Sequence, residues 1–230
     1  MIKILFVCHG NICRSPTAEF IMKDLVCRAG LEAEYEIASA ATHSDELGSG
    51  VYPPAARLLS EHGIDCSGKR ARRMIKDDYE KYDLLIGMDQ ANLRDMGRLF
   101  GPDPAGKLHL LMEYAGRSGK AVADPWYTRD FQRSWQDISD GCQGLLEKCS
   151  GVLTLDFSSC RDKKSLYAVL RAKMDWQDWY GENLDALYDI LTGLPHKGLR
   201  FVFIAPSPAA PEPVRAYFEK ILRTFDEARK

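Results

Sequence analysis

Short apolar runs at residues 2–7, 35–40, 83–88 and 107–111 alternate with amphipathic stretches near 15–29, 53–62, 89–98 and 128–148. Strand-length runs separated by helix-length stripes leave few architectures open, because parallel strands joined by helical crossovers need cover on both faces. The alternation predicts an α/β fold, a parallel doubly wound sheet with helices on either side. Near residue 150 the pattern restarts. Cys149-Ser150-Gly151 is followed by a fresh apolar run, Val152 to Phe157, then a helix from about 162, an acidic turn and helix, a strand over 200–204 and a helix over 213–229. Two domains are expected, 1–150 and 152–230. The second is a small α/β unit of about eighty residues, enough for a marginal core.

The first apolar run, Ile2 to Val7, feeds directly into Cys8-His9-Gly10-Asn11-Ile12-Cys13-Arg14-Ser15, and a helix opens at Ser15-Pro16-Thr17. This order delivers a thiol to the end of a strand and surrounds it with the N–H groups of a helix start, which favour a bound anion and a thiolate alike. Arg14 supplies a planar fork that matches two phosphoryl oxygens, and the Ser15 hydroxyl can donate to sulfur. Gly10 permits close backbone approach and Asn11 tolerates left-handed geometry. Residues 9–15, namely His9, Gly10, Asn11, Ile12, Cys13, Arg14 and Ser15, are the candidate phosphate cradle. Cys8 is the candidate nucleophile.

Phosphomonoester cleavage also needs a proton for the leaving oxygen. Asp124 is the candidate donor, held by Pro125 in an extended loop conformation. The neighbouring Trp126 and Tyr127 suit one wall of a slot for a flat phenyl ring, with Leu47 and Tyr52 on the other.

Composition narrows the alternatives. The chain has 230 residues, a formal net charge of −2 and no apolar run long enough to span a bilayer. Its N-terminus reads as a strand and not as a signal peptide. Seven cysteines, an odd number without paired metal-ligand spacing, point to reduced thiols and a cytoplasmic protein. No metal or cofactor is implied. The basic cluster Lys69, Arg70, Arg72, Arg73 and Lys76 lacks interleaved aromatic residues and reads as a solvated face, not a nucleic-acid site.

On these residues the chain resembles the low molecular weight protein tyrosine phosphatases from Met1 to about Ser150. The likeness also runs through Ser39-Ala40-Ala41-Thr42, Tyr52-Pro53-Pro54, His62-Gly63-Ile64, Met88 to Asp95 and Asp124-Pro125-Trp126-Tyr127. It implies Cys8 as nucleophile, Arg14 as phosphate clamp, Ser15 as thiolate stabiliser, Asn11 as structural hub of the loop and Asp124 as general acid. The substrate implied is phosphotyrosine in proteins. Related arsenate reductases need extra cysteines in mid-domain, and none lies between Cys66 and Cys142. Arginine phosphatases of the family typically carry Thr where this chain has Ile12, which favours phosphotyrosine and leaves phosphoarginine as the alternative. The resemblance further implies a reversible disulfide between Cys8 and Cys13, the other reading being that Cys13 is merely packed.

The second domain is most informative between Met174 and Gly193, a segment rich in acids and without a base. Asp185 and Asp189 are four apart, so they share a helix face where like charges repel. Tyr180-Gly181-Glu182-Asn183-Leu184-Asp185-Ala186-Leu187 and its surroundings resemble barstar, the ribonuclease inhibitor, over about 152–230, with the chain ending before barstar's last strand. By that likeness Trp179, Gly181, Asn183, Asp185, Tyr188, Asp189, Thr192 and Glu227 occupy positions that plug a basic ribonuclease cleft. The resemblances together imply a phosphatase carrying a protein-binding module. The alternative is a ribonuclease-binding protein in which the phosphatase domain is secondary.

Overall fold

Residues 1–174, 181–193 and 200–228 are described by the structure, a computed structural model. The chain divides into two units, Met1–Ser150 and Gly151–Lys230. In the first, β1 (Ile2–Cys8) leads to α1 (Arg14–Arg28), a 3-10 turn at Glu32–Glu34, β2 (Tyr35–Ala41), α2 (Pro53–Glu61) and α3 (Asp77–Lys81). Next come β3 (Leu84–Gly87), α4 (Gln90–Phe100), β4 (Leu108–Leu110), α5 (Leu111–Tyr114), α6 (Pro125–Thr128) and α7 (Phe131–Ser150).

The four strands are parallel, in the order β2-β1-β3-β4. β1 is central, and Ile4, Leu5, Phe6 and Val7 are fully buried, as a strand covered on both faces must be. On one face Leu5 and Val7 pack with Ala40, Met74, Tyr82, Leu85 and Met96. Alternation turns Ile4 and Phe6 to the other. α7 lies close against α5 because Gly141 and Gly144 carry no Cβ, and one on Gly144 would stand 1.9 Å from the Tyr114 carbonyl oxygen.

From β1 the chain passes to β2 on one side and then to β3 on the other. The carboxyl ends of β1 and β3 therefore frame the crevice where open α/β sheets bind ligands. Cys8 ends β1 there, opposite Ala41 of β2.

One expectation needs correction. Lys69 does not belong to a solvated face, and Arg72 is only partly solvated. The Lys69 ammonium reaches the buried Glu19 carboxylate at 2.7 Å, and the Arg72 guanidinium grips the buried Asp78 carboxylate with two bonds of 3.0 Å. Pattern reading missed this because buried cations are rare unless paired, and both partners lie outside the cluster. The backbone at Asp124 is as expected. Asp124 itself is extended (φ −91°, ψ 108°), and Pro125 begins the helical turn α6, a first position where its missing N–H costs nothing.

In the second unit β5 (Val152–Asp156) and β6 (Arg200–Ile204) are parallel, in register from Val152 opposite Arg200 to Asp156 opposite Ile204. Three helices accompany them, α8 (Lys163–Lys173), α9 (Leu184–Gly193) and α10 (Glu212–Ala228). Asp162 starts α8 with a capping box: its carboxylate accepts the Ser165 N–H at 2.7 Å and the Ser165 hydroxyl accepts the Asp162 N–H at 3.1 Å. Leu155, Phe157, Leu166, Tyr167, Leu187 and Phe218 are among the side chains of one apolar core. Among the described residues no helix is long and apolar enough to cross a membrane.

Candidate active site

The 9–13 segment joins β1 to α1 as a loop whose carbonyls and N–H groups face different partners. Its carbonyls are tied outward: those of Cys8, His9 and Ile12 accept N–H bonds from Thr42 (2.9 Å), His43 (3.1 Å) and Tyr52 (2.7 Å), and that of Cys13 accepts from Thr17. Among the described residues, the backbone N–H groups from His9 to Arg14 donate to no protein acceptor. Asn11 turns the chain with φ 55°, a left-handed residue of the kind that makes successive N–H groups converge into an anion-binding concavity. α1 starts immediately afterwards and adds about half a positive charge at the same place.

Fully buried side chains lock this loop. The Asn11 amide donates to Ser15 Oγ (2.9 Å) and Ser39 Oγ (2.7 Å), and its carbonyl accepts the Arg72 N–H (3.1 Å). The Ser39 hydroxyl in turn donates to Glu19 (2.6 Å), a carboxylate also held by Lys23 and Lys69. Burial pushes the Glu19 carboxyl up, but the bonds from Lys23, Lys69 and Ser39 outweigh it and hold the group below the usual carboxylate range. Ser15 Oγ, which accepts from Asn11, lies 3.0 Å from Cys8 Sγ, within reach to donate to a thiolate there, and 3.5 Å from the Ala40 carbonyl oxygen.

Arg14 lies at the first position of α1 and is 5 % exposed. Its Nη1 donates to Asp89 Oδ2 at 2.7 Å and its Nη2 sits 2.8 Å from Asp124 Oδ2. Burial works against the charge on Arg14, but the Cys8 sulfur and the Asp124 and Asp89 carboxylates raise its pKa above the ordinary value. Asp89 is also the N-cap of α4. Burial pushes its carboxyl up, and the Asn92 N–H together with Arg14 overcomes that and keeps it ionised below the usual range. Burial pushes the Cys13 thiol up to about 12, the Cys8 sulfur adds to the rise and Arg14 opposes it. Cys8 and Cys13 are both free thiols.

Around this centre Trp126 and Tyr127 project from α6, 58 % and 82 % exposed. Tyr52 meets Trp126 edge-on with ring centroids 6.5 Å apart and stacks on Phe131 at 6.0 Å. Tyr52 and Trp126 thus share one aromatic cluster. Leu47, 53 % exposed, sits in the 42–52 segment whose two ends bond the loop carbonyls. His9 stacks on His43 with centroids 4.0 Å apart and meets Asp45 at 3.1 Å. Cys8, Arg14 and Asp124 are therefore brought together, and so are all the cradle residues.

Sequence reasoning missed Asp89, Glu19, Ser39 and Lys69. Signals existed for two of them. Asp89 stands three residues before Asn92 at a helix start, the place of a capping acid. Glu19 lies on the buried stripe of α1 with Ser15, Met22 and Val26, where a carboxylate needs a cation.

In the second unit Asp185, Tyr188, Asp189 and Thr192 share the exposed side of α9, while Ala186, Leu187 and Ile190 are buried. Asn183 caps this helix, accepting the Ala186 N–H at 2.8 Å. Gly181 stands beside it, where a Cβ would come 2.6 Å from the Asn183 amide nitrogen. Glu227 is exposed on α10. Trp179 lies outside the described residues. Among those described, no group of three or more His, Cys, Asp or Glu side chains could hold a metal ion.

Comparison with known proteins agrees with this geometry. The family model for low molecular weight phosphotyrosine protein phosphatase matches residues 3–152, and that for barstar (barnase inhibitor) matches residues 151–230. The low molecular weight protein-tyrosine-phosphatase YfkJ of Bacillus subtilis is 36 % identical over 147 residues, 64 % of this chain and 94 % of that protein. The low molecular weight phosphotyrosine protein phosphatase of Gallus gallus is 37 % identical over 152 residues, 63 % of this chain and 94 % of its own. The crystal structure of YfkJ superposes with a TM-score of 0.63 at 35 % identity, covering 66 % of this chain and 96 % of that one. With a family match over more than half its length and a parallel α/β fold that agrees with it, the chain belongs to the low molecular weight phosphotyrosine protein phosphatases, with a barstar-type domain following.

Proposed function

We propose that the first unit dephosphorylates phosphotyrosine in proteins through a cysteinyl-phosphate. The supporting observation is the run of N–H groups from His9 to Arg14, directly after Cys8, that have no acceptor among the described residues, together with the Arg14 fork. Free N–H groups at a helix start form a ready anion site, and a phosphoryl dianion supplies the missing acceptors. Cys8 Sγ attacks phosphorus in line while the bond to the tyrosyl oxygen breaks. Negative charge on the transferring oxygens is stabilised by the loop N–H groups and Arg14. Phosphate takes the Arg14 edge that now faces Asp124, and Asp124, released from that pair and protonated from solvent, turns its carboxyl to the leaving oxygen and gives it the proton. The resulting carboxylate then takes a proton from the water that attacks phosphorus, releasing orthophosphate and restoring the Cys8 thiolate. Exposed Trp126 and Tyr127 accommodate the phenyl ring, and the side chain of Ile12 offers no hydrogen bond to a guanidinium leaving group.

Asp124→Asn tests this scheme. Loss of the proton donor lowers kcat on a phosphotyrosine peptide by about 100-fold. The loss on p-nitrophenyl phosphate is smaller, because nitrophenolate departs without help. Equal losses on both substrates, or faster wild-type turnover of a phosphoarginine peptide than of its phosphotyrosine counterpart, would refute it.

The barstar match carries a second reading, for residues 151–230. The carboxylates Asp185 and Asp189 on the exposed side of α9 mimic phosphates and enter the basic cleft of a barnase-type ribonuclease. The full chain is expected to bind such a ribonuclease in a salt-sensitive complex that Asp189→Ala loosens by at least about tenfold. Absence of any complex at micromolar concentrations removes this reading.

A further inference from the structure

We propose that Arg129 is a specificity-determining residue that selects phosphotyrosine segments bearing an aspartate or glutamate side chain close to the phosphorylated tyrosine. The inference rests on the phosphotyrosine reading above and adds what the site recognises beyond the ring and the phosphate.

α6 is a single turn that opens at Asp124, the carboxylate paired with Arg14, and closes at Arg129 with φ 58°. Asn11 and Arg129 are the two non-glycine residues with positive φ among those described, and Asn11 belongs to the phosphate cradle. Cβ sterics disfavour that conformation for arginine, and glycine ordinarily fills such a helix terminus. The Arg129 N–H bonds the Pro125 carbonyl at 3.0 Å and closes the turn. Strained residues of this kind cluster at ligand sites, where the surrounding structure holds them for a purpose.

Here the conformation places the Arg129 guanidinium over the exposed Trp126 ring, with Cζ 5.8 Å from the centroid. Stacking on an aromatic face orders the planar fork and leaves its N–H edge for a carboxylate. The nearby carboxylates are engaged elsewhere. Asp130 accepts the Arg133 N–H at 2.8 Å, and Asp137 pairs with the Arg133 and Arg117 side chains. The described residues give Arg129 no ion-pair partner. An exposed, oriented cation thus sits on the proposed phenyl wall, five positions along the chain from the proton donor.

Opposite charge borders the cradle at His9 and Gly10. Asp45 meets His9, and the Glu46 side chain packs where a Cβ on Gly10 would stand, 3.2 Å away. A carboxylate on the substrate is attracted at the Arg129 rim and repelled at the Asp45–Glu46 rim. The pair of rims therefore sets the direction in which the peptide lies as well as its preference for acid.

The test uses the full chain and phosphotyrosine peptides in which a single Glu, or a single Lys, is walked through the positions flanking the phosphotyrosine. Wild type is expected to prefer Glu over Lys at one flank by about fivefold in kcat/KM, the size of one exposed ion pair, and to lose that ratio at high salt. R129N, chosen because asparagine accepts a left-handed backbone, brings the ratio to about one, and R129E inverts it in favour of Lys. Thermal unfolding of each variant checks that the turn persists. A flat wild-type profile, or a Glu preference that survives in R129N and R129E, overturns the assignment of Arg129. Failure to hydrolyse any of the phosphotyrosine peptides overturns the phosphotyrosine reading, and this inference falls with it.

Discussion

Replacing Cys8 with serine abolishes turnover of p-nitrophenyl phosphate and of phosphotyrosine peptides, by at least about 10⁴-fold, while the variant still binds phosphotyrosine peptides. The proposed reaction asks for a nucleophile that carries negative charge at neutral pH, and a serine hydroxyl does not ionise there. Binding survives because its parts lie elsewhere. The converging N–H groups run from His9 to Arg14, the loop carbonyls are held by Thr42, His43 and Tyr52, and Asn11 fastens the turn to Ser15 and Ser39. None of these bonds uses sulfur. Cys8 is nearly buried, so the exchange changes one atom within a fixed frame and leaves the melting temperature near that of wild type. Turnover and peptide binding are measured on the same sample. Activity in Cys8→Ser within tenfold of wild type would remove Cys8 from the chemistry. Loss of both binding and thermal stability would show that sulfur holds the loop together, contrary to the bonding described above.

The contrast between what the sequence displayed and what it concealed follows the distance over which each feature is built. The strands β1 to β4 were readable as short continuous apolar runs and the helices α1, α2, α4 and α7 because burial repeats about every three and a half residues, and both signals are local. The cradle was readable for the same reason: nucleophile, N–H groups, clamp and helix start occupy one continuous stretch, residues 8–15. Asp89 and Lys69 were not. Asp89 joins Arg14 across 75 residues and Lys69 joins Glu19 across 50, and neither pairing leaves a periodic trace. Lys69 misled in addition, because four of its neighbours within seven residues are basic and a run of charge ordinarily faces water. Its burial became intelligible only once the Glu19 carboxylate was seen on the inner stripe of α1. The one-turn helix α6 escaped for a different reason, since four residues are too few for helical periodicity and an Asp-Pro pair marks many kinds of turn.

Arg14→Lys lowers kcat/KM on phosphotyrosine peptides by about 10³-fold, at the upper end of what losing one preorganised donor costs a transition state, because two functions fail together. The first is geometric. The guanidinium reaches Asp89 at 2.7 Å and Asp124 at 2.8 Å from different nitrogens, an arrangement that a lysine ammonium cannot reproduce while also offering a bidentate edge to phosphate. The second concerns Asp124, which loses the partner that stations it beside the phosphate position before substrate arrives. Conservation of charge is therefore expected to rescue little. Asp89 keeps its capping bond to the Asn92 N–H at 2.8 Å, so α4 and the sheet beneath it remain in place and the variant unfolds at a temperature within a few degrees of wild type. Competitive inhibition by orthophosphate separates the two failures: its Ki rises with the loss of the fork, while the drop in kcat reports the misplaced acid. If Arg14→Lys retains a tenth or more of wild-type kcat/KM, a positive charge suffices at this position, and neither the fork nor its hold on Asp124 is what the reaction uses.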